Sequence, residues 1–426
     1  MYRHIIIILS AATFSAASIS AQDTSAEPAP SHGAASTAQE ASQGDSTAIP
    51  GEIRTADIGE VLVSIRKNNP ELGSLQQETE AQSLQLKNEN ILEDPSIEYS
   101  SFYSGQVTGQ ASSELVVSQG FDFPTLYAAR HRRNELSRAA LEGNLDNERR
   151  RILLDAKNLC LDIIMYRQIG ELLGMQAEIA GDLLDLYGQR LATGDASALE
   201  VNKIKMELMS TATAVATNRA ALDAATRSLT AMNGGIPVAF EAEEFPLMES
   251  VGDAEEAVSE YLAGDAAILS AENAAEAARK EISVSRQGWI PRLEIGYRRN
   301  TEIRDAVNGF LVGCSIPIFS NHKKVSMAKA RSASAQSNLN YTRVTAETEV
   351  RSILVEMDQT KAALDAYDEP LMRETLKLLR QAVEGGEISL IEYFTEASSI
   401  YGNLTACITL QNSWQKLAAR LYRNRL

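Results

Sequence analysis

Two hydrophobic periods divide the chain. Four short segments alternate. Ile97, Tyr99 and Tyr103 fall on one face, with Glu98 and Ser100 on the other. Leu115, Val117, Phe121 and Phe123 oppose Glu114, Ser118 and Asp122. Leu293, Ile295 and Tyr297 oppose Arg292, Glu294 and Arg298, and Phe310, Val312, Cys314, Ile316 and Ile318 oppose Leu311, Gly313 and Ser315. Period two with one apolar face predicts strands. It suits a barrel wall between lipid and water, with a sheet packed on a helical core as the alternative. Elsewhere the pattern predicts helices over 56–68, 70–93, 126–192 and 197–233, then over 252–264, 266–289, 322–384 and 389–424. A helix over 126–192 is roughly 100 Å long at 1.5 Å per residue. The two shorter helices of each half, stacked end to end, match the long one in height. The strands then lie at one end of the helices and the glycine turns at the other.

The chain is written twice. Asp57 falls against Asp253, Pro95 against Pro291 and Glu98 against Glu294 at a single offset. Further on, Phe121-Asp-Phe-Pro124 resembles Cys314-Ser-Ile-Pro317, and Gly194-Asp-Ala-Ser-Ala-Leu-Glu200 resembles Gly386-Glu-Ile-Ser-Leu-Ile-Glu392. Two alanine-rich helices alike by chance would not keep Pro, Gly, Ser and Glu in order, so we read a duplication. The first repeat spans 55–234, with a hairpin at 95–124 and a turn at 193–198. The second spans 252–426, with a hairpin at 291–319 and a turn at 385–390. Residues 235–251, with Pro237 and Pro246, link them.

The first residues read as an address. Arg3 and His4 precede the apolar run Ile5–Leu9, and small residues lead to Ser20-Ala21-Gln22, the pattern of a secretory signal peptide over 1–21. Residues 22–54 carry few large apolar side chains and are expected to form a disordered leader. No Cys lies near the cut, so no lipid anchor is expected. The mature chain has no apolar run long enough for a membrane helix, which leaves a β-barrel as the spanning structure open to it. Four strands are too few to close one, because the smallest outer-membrane barrels have about eight. Three chains would pool twelve strands and twelve helical columns.

Composition narrows the chemistry. The 426 residues carry 57 acidic against 40 basic side chains, a net charge of -17, which disfavours nucleic acid as a partner. Cys160, Cys314 and Cys407 alone cannot build a disulfide framework or a cysteine-based zinc module, and only four His are present. His131 and His322 lack the carboxylate spacing of a metal site. No phosphate loop, zinc-protease motif or nucleophile elbow occurs, so no catalytic, cofactor-binding or metal-binding residues are expected.

The duplicated helix–hairpin–helix plan and the two turn segments, Arg190-Leu-Ala-Thr-Gly194-Asp-Ala-Ser197-Ala-Leu199-Glu200 and Gly386-Glu-Ile-Ser389-Leu-Ile391-Glu392, resemble the outer-membrane efflux protein family, the TolC-like outer-membrane factors. The resemblance covers about residues 55–425. It implies a mainly α fold with a small β part: a homotrimer whose twelve-stranded barrel, four strands per chain, sits in the lipid of a Gram-negative outer membrane above a periplasmic helical barrel. It implies a passive exit duct working with a periplasmic adaptor and an inner-membrane pump of the resistance-nodulation-division class, exporting drugs or metal cations. A duct for type I protein secretion is the runner-up. From a different class, the rival is a periplasmic coiled-coil protein that forms no channel.

Three sets of residues follow. Gly194 and Gly386 can end a helix with a positive φ, and Ser197 and Ser389 can cap the next one. The resemblance makes these four, with Leu199 and Ile391, the tips that dock the adaptor; turn chemistry alone is the plainer reading. By the same resemblance, Glu392, with Glu200 and Glu396, gates the tunnel entrance, and a solvated first turn favoured by the helix dipole is the alternative. Trp289, Phe123, Tyr127 and Phe319 flank the strands as a membrane-interface belt, with core aromatics as the alternative. Arg130, Arg132 and Arg133 oppose their helix dipole and are placed to meet lipid phosphates, or water alone.

Overall fold

The computed structural model describes residues 53–55, 57–103, 105, 110–248, 252–302, 305–319, 321 and 323–426. The expected signal peptide and His322 lie outside the described residues, as does the expected leader up to residue 52. Ile53 and Arg54, expected within the leader, belong instead to a strand, β1 (Ile53–Thr55).

Each half opens with two helices: α1 (Ile58–Asn68) and α2 (Pro70–Asn88). The Asn69 side chain accepts the Leu72 N–H at 2.8 Å and Pro70 occupies the first helical turn, so the chain restarts a helix where the last one ends. Strands β2 (Ser96–Tyr103) and β3 (Gln110–Phe121) follow. Pro124 then opens α3 (Pro124–Thr193), a continuous helix of 70 residues, and α4 (Ala198–Met232) returns beside it. The expected linker is not wholly irregular. It contains β4 (Val238–Phe240), which pairs in parallel with β1 and ties the start of the first half to its end.

The second half repeats this order with α5 (Ala254–Gly264), α6 (Ala266–Gln287), β5 (Arg292–Glu302) and β6 (Ala306–Ser315). Asp265 caps α6 as Asn69 caps α2. Strand β6 ends before Ile316 and Ile318, which were expected within it; Pro317 has no N–H to continue a ladder. The long helix expected over 322–384 is broken. It forms α7 (Lys324–Leu364) and α8 (Glu369–Gly385), followed by α9 (Leu390–Leu421) and a short 3₁₀ turn over Arg423–Arg425. Pro370 causes the break. It donates no hydrogen bond to the preceding turn and its ring crowds the carbonyl four residues back. Asp368 leaves helical backbone and its side chain accepts the Leu371 N–H at 2.9 Å, restarting the helix.

Helix α3 is the axis of the protomer. Near its start α2 and α6 flank it; lower down α4 and α9 do, so each shorter pair stacks end to end along the long helix. Helix α7 lies beyond α6 and α9, and α8 continues that column against α9. At mid-height α1, α3, α4 and β4 enclose Val61, Ile65, Ile152, Ile164, Leu229 and Phe240. The second half builds the matching core from Tyr261, Val350, Ile353, Met357 and Trp414. Each such aliphatic side chain contributes about 1.5–3 kcal/mol on full burial. The two hairpins join as one antiparallel sheet in the order β2-β3-β5-β6, and the outer edges of β2 and β6 have no partner strand among the described residues. No helix among the described residues is long and apolar enough to cross a membrane.

Candidate functional site

The described unit has two working ends, set apart by the length of α3, roughly 105 Å at 1.5 Å per residue. At the upper end the sheet sorts its side chains. One face carries Ile97, Tyr99, Leu115, Val117, Phe121, Leu293, Ile295, Tyr297, Phe310 and Val312, aligned in rows by the register. Among the described residues nothing covers this face: Phe310 is 92% exposed and Val312 80%. The other face is polar and cross-linked. Ser118 donates to Glu294 at 2.5 Å and meets Ser96 at 2.8 Å, while Arg298 pairs with Glu114.

The polar face continues down onto the helices. Arg130 pairs with Asp122 at 2.7 Å, and Asp122 also receives Arg292 at 3.2 Å. Arg133 bridges Glu89, the residue that ends α2, at 3.1 Å and Glu281 of α6 at 3.3 Å. Glu89, Asp122, Arg130, Arg133, Arg292 and Lys324 line a cavity of about 780 Å³ beneath the sheet. Of the three arginines expected at lipid, Arg130 and Arg133 therefore lie within ion pairs on the polar side. Arg132 is exposed beside His131, which pairs with Glu135 at 3.2 Å. Trp289, Phe123 and Phe319 are exposed below the strands. Tyr127 is half-buried, and its hydroxyl accepts the Asp122 N–H at 3.2 Å.

At the lower end two turns reverse the chain in the same way. Gly194 and Gly386 hold φ of 88° and 80°, a left-handed conformation that side chains resist. In the first turn, Asp195 N–H reaches Arg190 O at 2.7 Å and Gly194 N–H reaches Leu191 O at 3.2 Å. In the second, Glu387 N–H reaches Ala382 O and Gly386 N–H reaches Val383 O, satisfying the last carbonyls of α3 and α8. Ser197 then caps α4 and Ser389 caps α9. Leu199 (73% exposed) and Ile391 (58%) project beyond the caps.

The two acidic residues after the caps differ. Glu200 closes a reciprocal capping box, accepting the Ser197 N–H at 2.7 Å. The Ser197 backbone and hydroxyl bonds hold its carboxyl below the usual carboxylate range. Glu392 and Glu396 lie exposed on α9 with no side-chain partner among the described residues.

Sequence reasoning missed the polar ties above the turns. Arg380 of α8 pairs with Asp182 of α3 at 2.8 Å and with Glu384 at 2.8 Å, and Arg190 donates to the Glu384 carbonyl at 2.8 Å. Behind them Tyr393 and Phe394 pack edge to face at 5.3 Å among the buried residues shared by α3, α4, α8 and α9. The Arg380–Glu384 spacing was a signal for the local pair; Asp182 had none.

Residues 257–424 match the family model described as outer membrane efflux protein. No curated protein sequence matches the chain significantly. The fold is shared with solved structures of CusC (TM-score 0.69, 18% identity, 86% of this chain and 91% of that one). It is shared with the Campylobacter jejuni CmeC outer membrane channel (0.73, 16%, 86% and 85%). The outer membrane protein VceC of Vibrio cholerae is also similar (0.71, 15%, 86% and 95%).

Proposed function

We propose that the chain is a member of the outer membrane efflux protein family, whose model matches residues 257–424, and that it is the passive exit duct of a tripartite efflux system, assembled as a homotrimer. Each protomer supplies four strands to a twelve-stranded barrel, and β6 of one copy completes β2 of the next. The helices extend that barrel into the periplasm. A periplasmic adaptor docks on the tips at Gly194, Ser197, Leu199, Gly386, Ser389 and Ile391. An inner-membrane pump of the resistance-nodulation-division class supplies the energy, and drugs or metal cations are the cargo. Glu392 and Glu396, with Glu200 behind its cap, rim the entrance. Arg132, Trp289, Phe123 and Phe319 meet the membrane interface.

The observation that carries this reading is the uncovered apolar face of the sheet, backed by a polar, ion-paired one. A sheet packed on its own helices would bury the apolar face. Here that face is open while the polar face leads into the charged cavity, as a wall between lipid and an aqueous lumen requires. The edges of β2 and β6, which have no partner strand among the described residues, call for the same closure, because open sheet edges do not persist in hydrocarbon.

The test is expression of the full chain in a Gram-negative host. The expected result is a detergent-resistant trimer in the outer-membrane fraction that conducts ions in planar bilayers. A soluble periplasmic monomer without conductance would overturn the reading. Arg substitutions at Leu199 and Ile391 are expected to abolish efflux and adaptor cross-linking at unchanged trimer yield; normal efflux would remove the tips from the adaptor contact.

A further inference from the structure

Charge is partitioned across the sheet with one exception. Glu98, Glu114, Arg292, Glu294, Arg298 and Glu302 all fall on the polar face. On the apolar face of the described strands the one charged residue is Arg299, and no acidic side chain accompanies it. Its neighbour Arg298 is neutralised by Glu114 through the lumen side. Arg299 is exposed and has no ion pair or side-chain hydrogen bond among the described residues. A symmetric copy of the chain brings the same strands, and so no acidic residue to this face.

The position of Arg299 fixes its surroundings. The register sets Tyr99, Leu115, Arg299 and Asn308 in one row. Below that row the face is apolar, Gln119 excepted, down to Phe121, Leu293 and Cys314; above it stand Ser101, Ser113, Thr301 and Ala306. Arg299 therefore lies where the apolar band ends. Six residues separate it from Leu293, about 16 Å of height for a strand tilted near 40°, and the aromatic residues below add the rest of a band about 25 Å tall. The helices leave the sheet at its other end, so this rim faces away from the periplasm. Asn308 is the register partner of Arg299. Its carbonyl oxygen accepts the Tyr297 hydroxyl at 2.7 Å, which leaves its NH₂ group as a second donor.

We propose that Arg299 and Asn308 form a site for the phosphate of an outer-leaflet glycolipid of the lipid A type. The inference rests on the barrel reading above. A guanidinium binds phosphate through paired N–H donors, and the poorly solvated rim of a bilayer strengthens that bond. The acyl chains of the same lipid lie against Tyr297, Phe310 and Val312. The phosphate supplies the counter-charge that the protein withholds on this face, and trimer symmetry gives three sites per barrel.

The experiment uses the full-length trimer, delipidated in detergent, with bisphosphorylated lipid A, dephosphorylated lipid A and phosphatidylglycerol as probes and bound lipid counted by native mass spectrometry. Wild-type trimer is expected to retain lipid A. Arg299→Gln weakens retention by about tenfold or more, the loss of one charge-assisted hydrogen-bonded contact. Arg298→Gln leaves it unchanged. Equal retention by Arg299→Gln and wild type overturns the site. So does equal loss in Arg298→Gln, which would mark a general weakening of the barrel. Phosphatidylglycerol bound as tightly, with the same Arg299 dependence, overturns the glycolipid assignment. Planar-bilayer conductance confirms that each variant is folded; should Arg299→Gln not assemble, Asn308→Ala carries the same test with a smaller expected loss. A wild-type chain that neither inserts nor conducts would instead sink the duct reading itself.

Discussion

Arg380 of α8 grips Asp182 of α3 at 2.8 Å, joining the second half of the chain to the first just above the turns. Helix α8 packs chiefly on α9, so this pair and the bond from Arg190 to the Glu384 carbonyl are its polar ties to α3. Both ion-pair partners are more than a third exposed, and such a pair contributes about 0–1 kcal/mol. It is too weak to hold the fold but placed to bias where α8 lies. Arg380→Ala is expected to leave thermal stability nearly unchanged and to raise single-channel conductance. Conductance equal to wild type would show that the pair does not restrain the entrance.

Asp265 presents the opposite case. Its side chain is 1% exposed; it caps α6 and receives Arg423 at 2.5 Å. Arg423 also lies over the Tyr261 ring at 4.9 Å. Removing Arg423 strands a buried carboxylate, a defect that costs about 3–5 kcal/mol. The first half performs the same capping with neutral Asn69, which needs no cation. Arg423→Leu should therefore destabilise strongly, and adding Asp265→Asn should restore most of the loss. Denaturant titration of the two variants measures this. A double variant as unstable as the single one would show that the Arg423 side chain acts through packing alone.

The alternation of the strands, the duplication and the turns could be read in the sequence because each is written in local spacing. The break at Pro370 was also written there, but the match to the first half, where α3 runs unbroken, argued for one helix over 322–384. The arginines show what spacing decides. Arg130 and Arg133 share a helix face and turn to the carboxylates of Asp122, Glu89 and Glu281, whereas Arg132, two positions from Arg130, points elsewhere. Partners such as Asp182 or Glu281 depend on which helices lie side by side. No local pattern records that.

The capping box at the first tip is sensitive to pH in a defined direction. Hydrogen bonds from Ser197 depress the Glu200 pKa. A depressed carboxyl contributes stability that is complete above its unfolded value, about 4.3, and is lost as pH falls through the lower folded value. Amide exchange in the first turn of α4 should thus be slower in wild type than in Glu200→Ala at neutral pH. The difference should close below about pH 4. A difference that persists in acid would mean that the Ser197 hydroxyl alone forms the cap.

Helix α6 of the second half packs closely on α3 at Gly143. A Cβ placed there would lie 3.0 Å from Ser270 Cβ and 3.1 Å from its Cα. Alanine gains up to about 1 kcal/mol of helix propensity over glycine. The obstacle includes backbone, which cannot rotate aside, and overpacking costs about 1–3 kcal/mol. Gly143→Ala is therefore expected to be neutral to destabilising by about 2 kcal/mol in chemical denaturation. Any clear gain in stability would show that α3 and α6 separate without cost.

Glu392 and Glu396 stand one turn apart on the exposed side of α9, while Tyr393, Phe394 and Ala397 face the core. Their carboxylates have no partner among the described residues, unlike that of Glu200. In a trimer they would give six negative charges around one axis, a potential that concentrates cations at the entrance. The simpler account is a favourable helix dipole, worth about 0.3–1 kcal/mol of stability for a charge in the first turn. The two accounts part on selectivity. If the carboxylates rim the lumen, replacing both with Ala should shift the reversal potential in a KCl gradient toward zero. The wild-type preference should then fade near 1 M salt, where the Debye length falls to about 3 Å. If only the dipole is at work, the variant should lose a little stability and keep the wild-type reversal potential at every salt concentration.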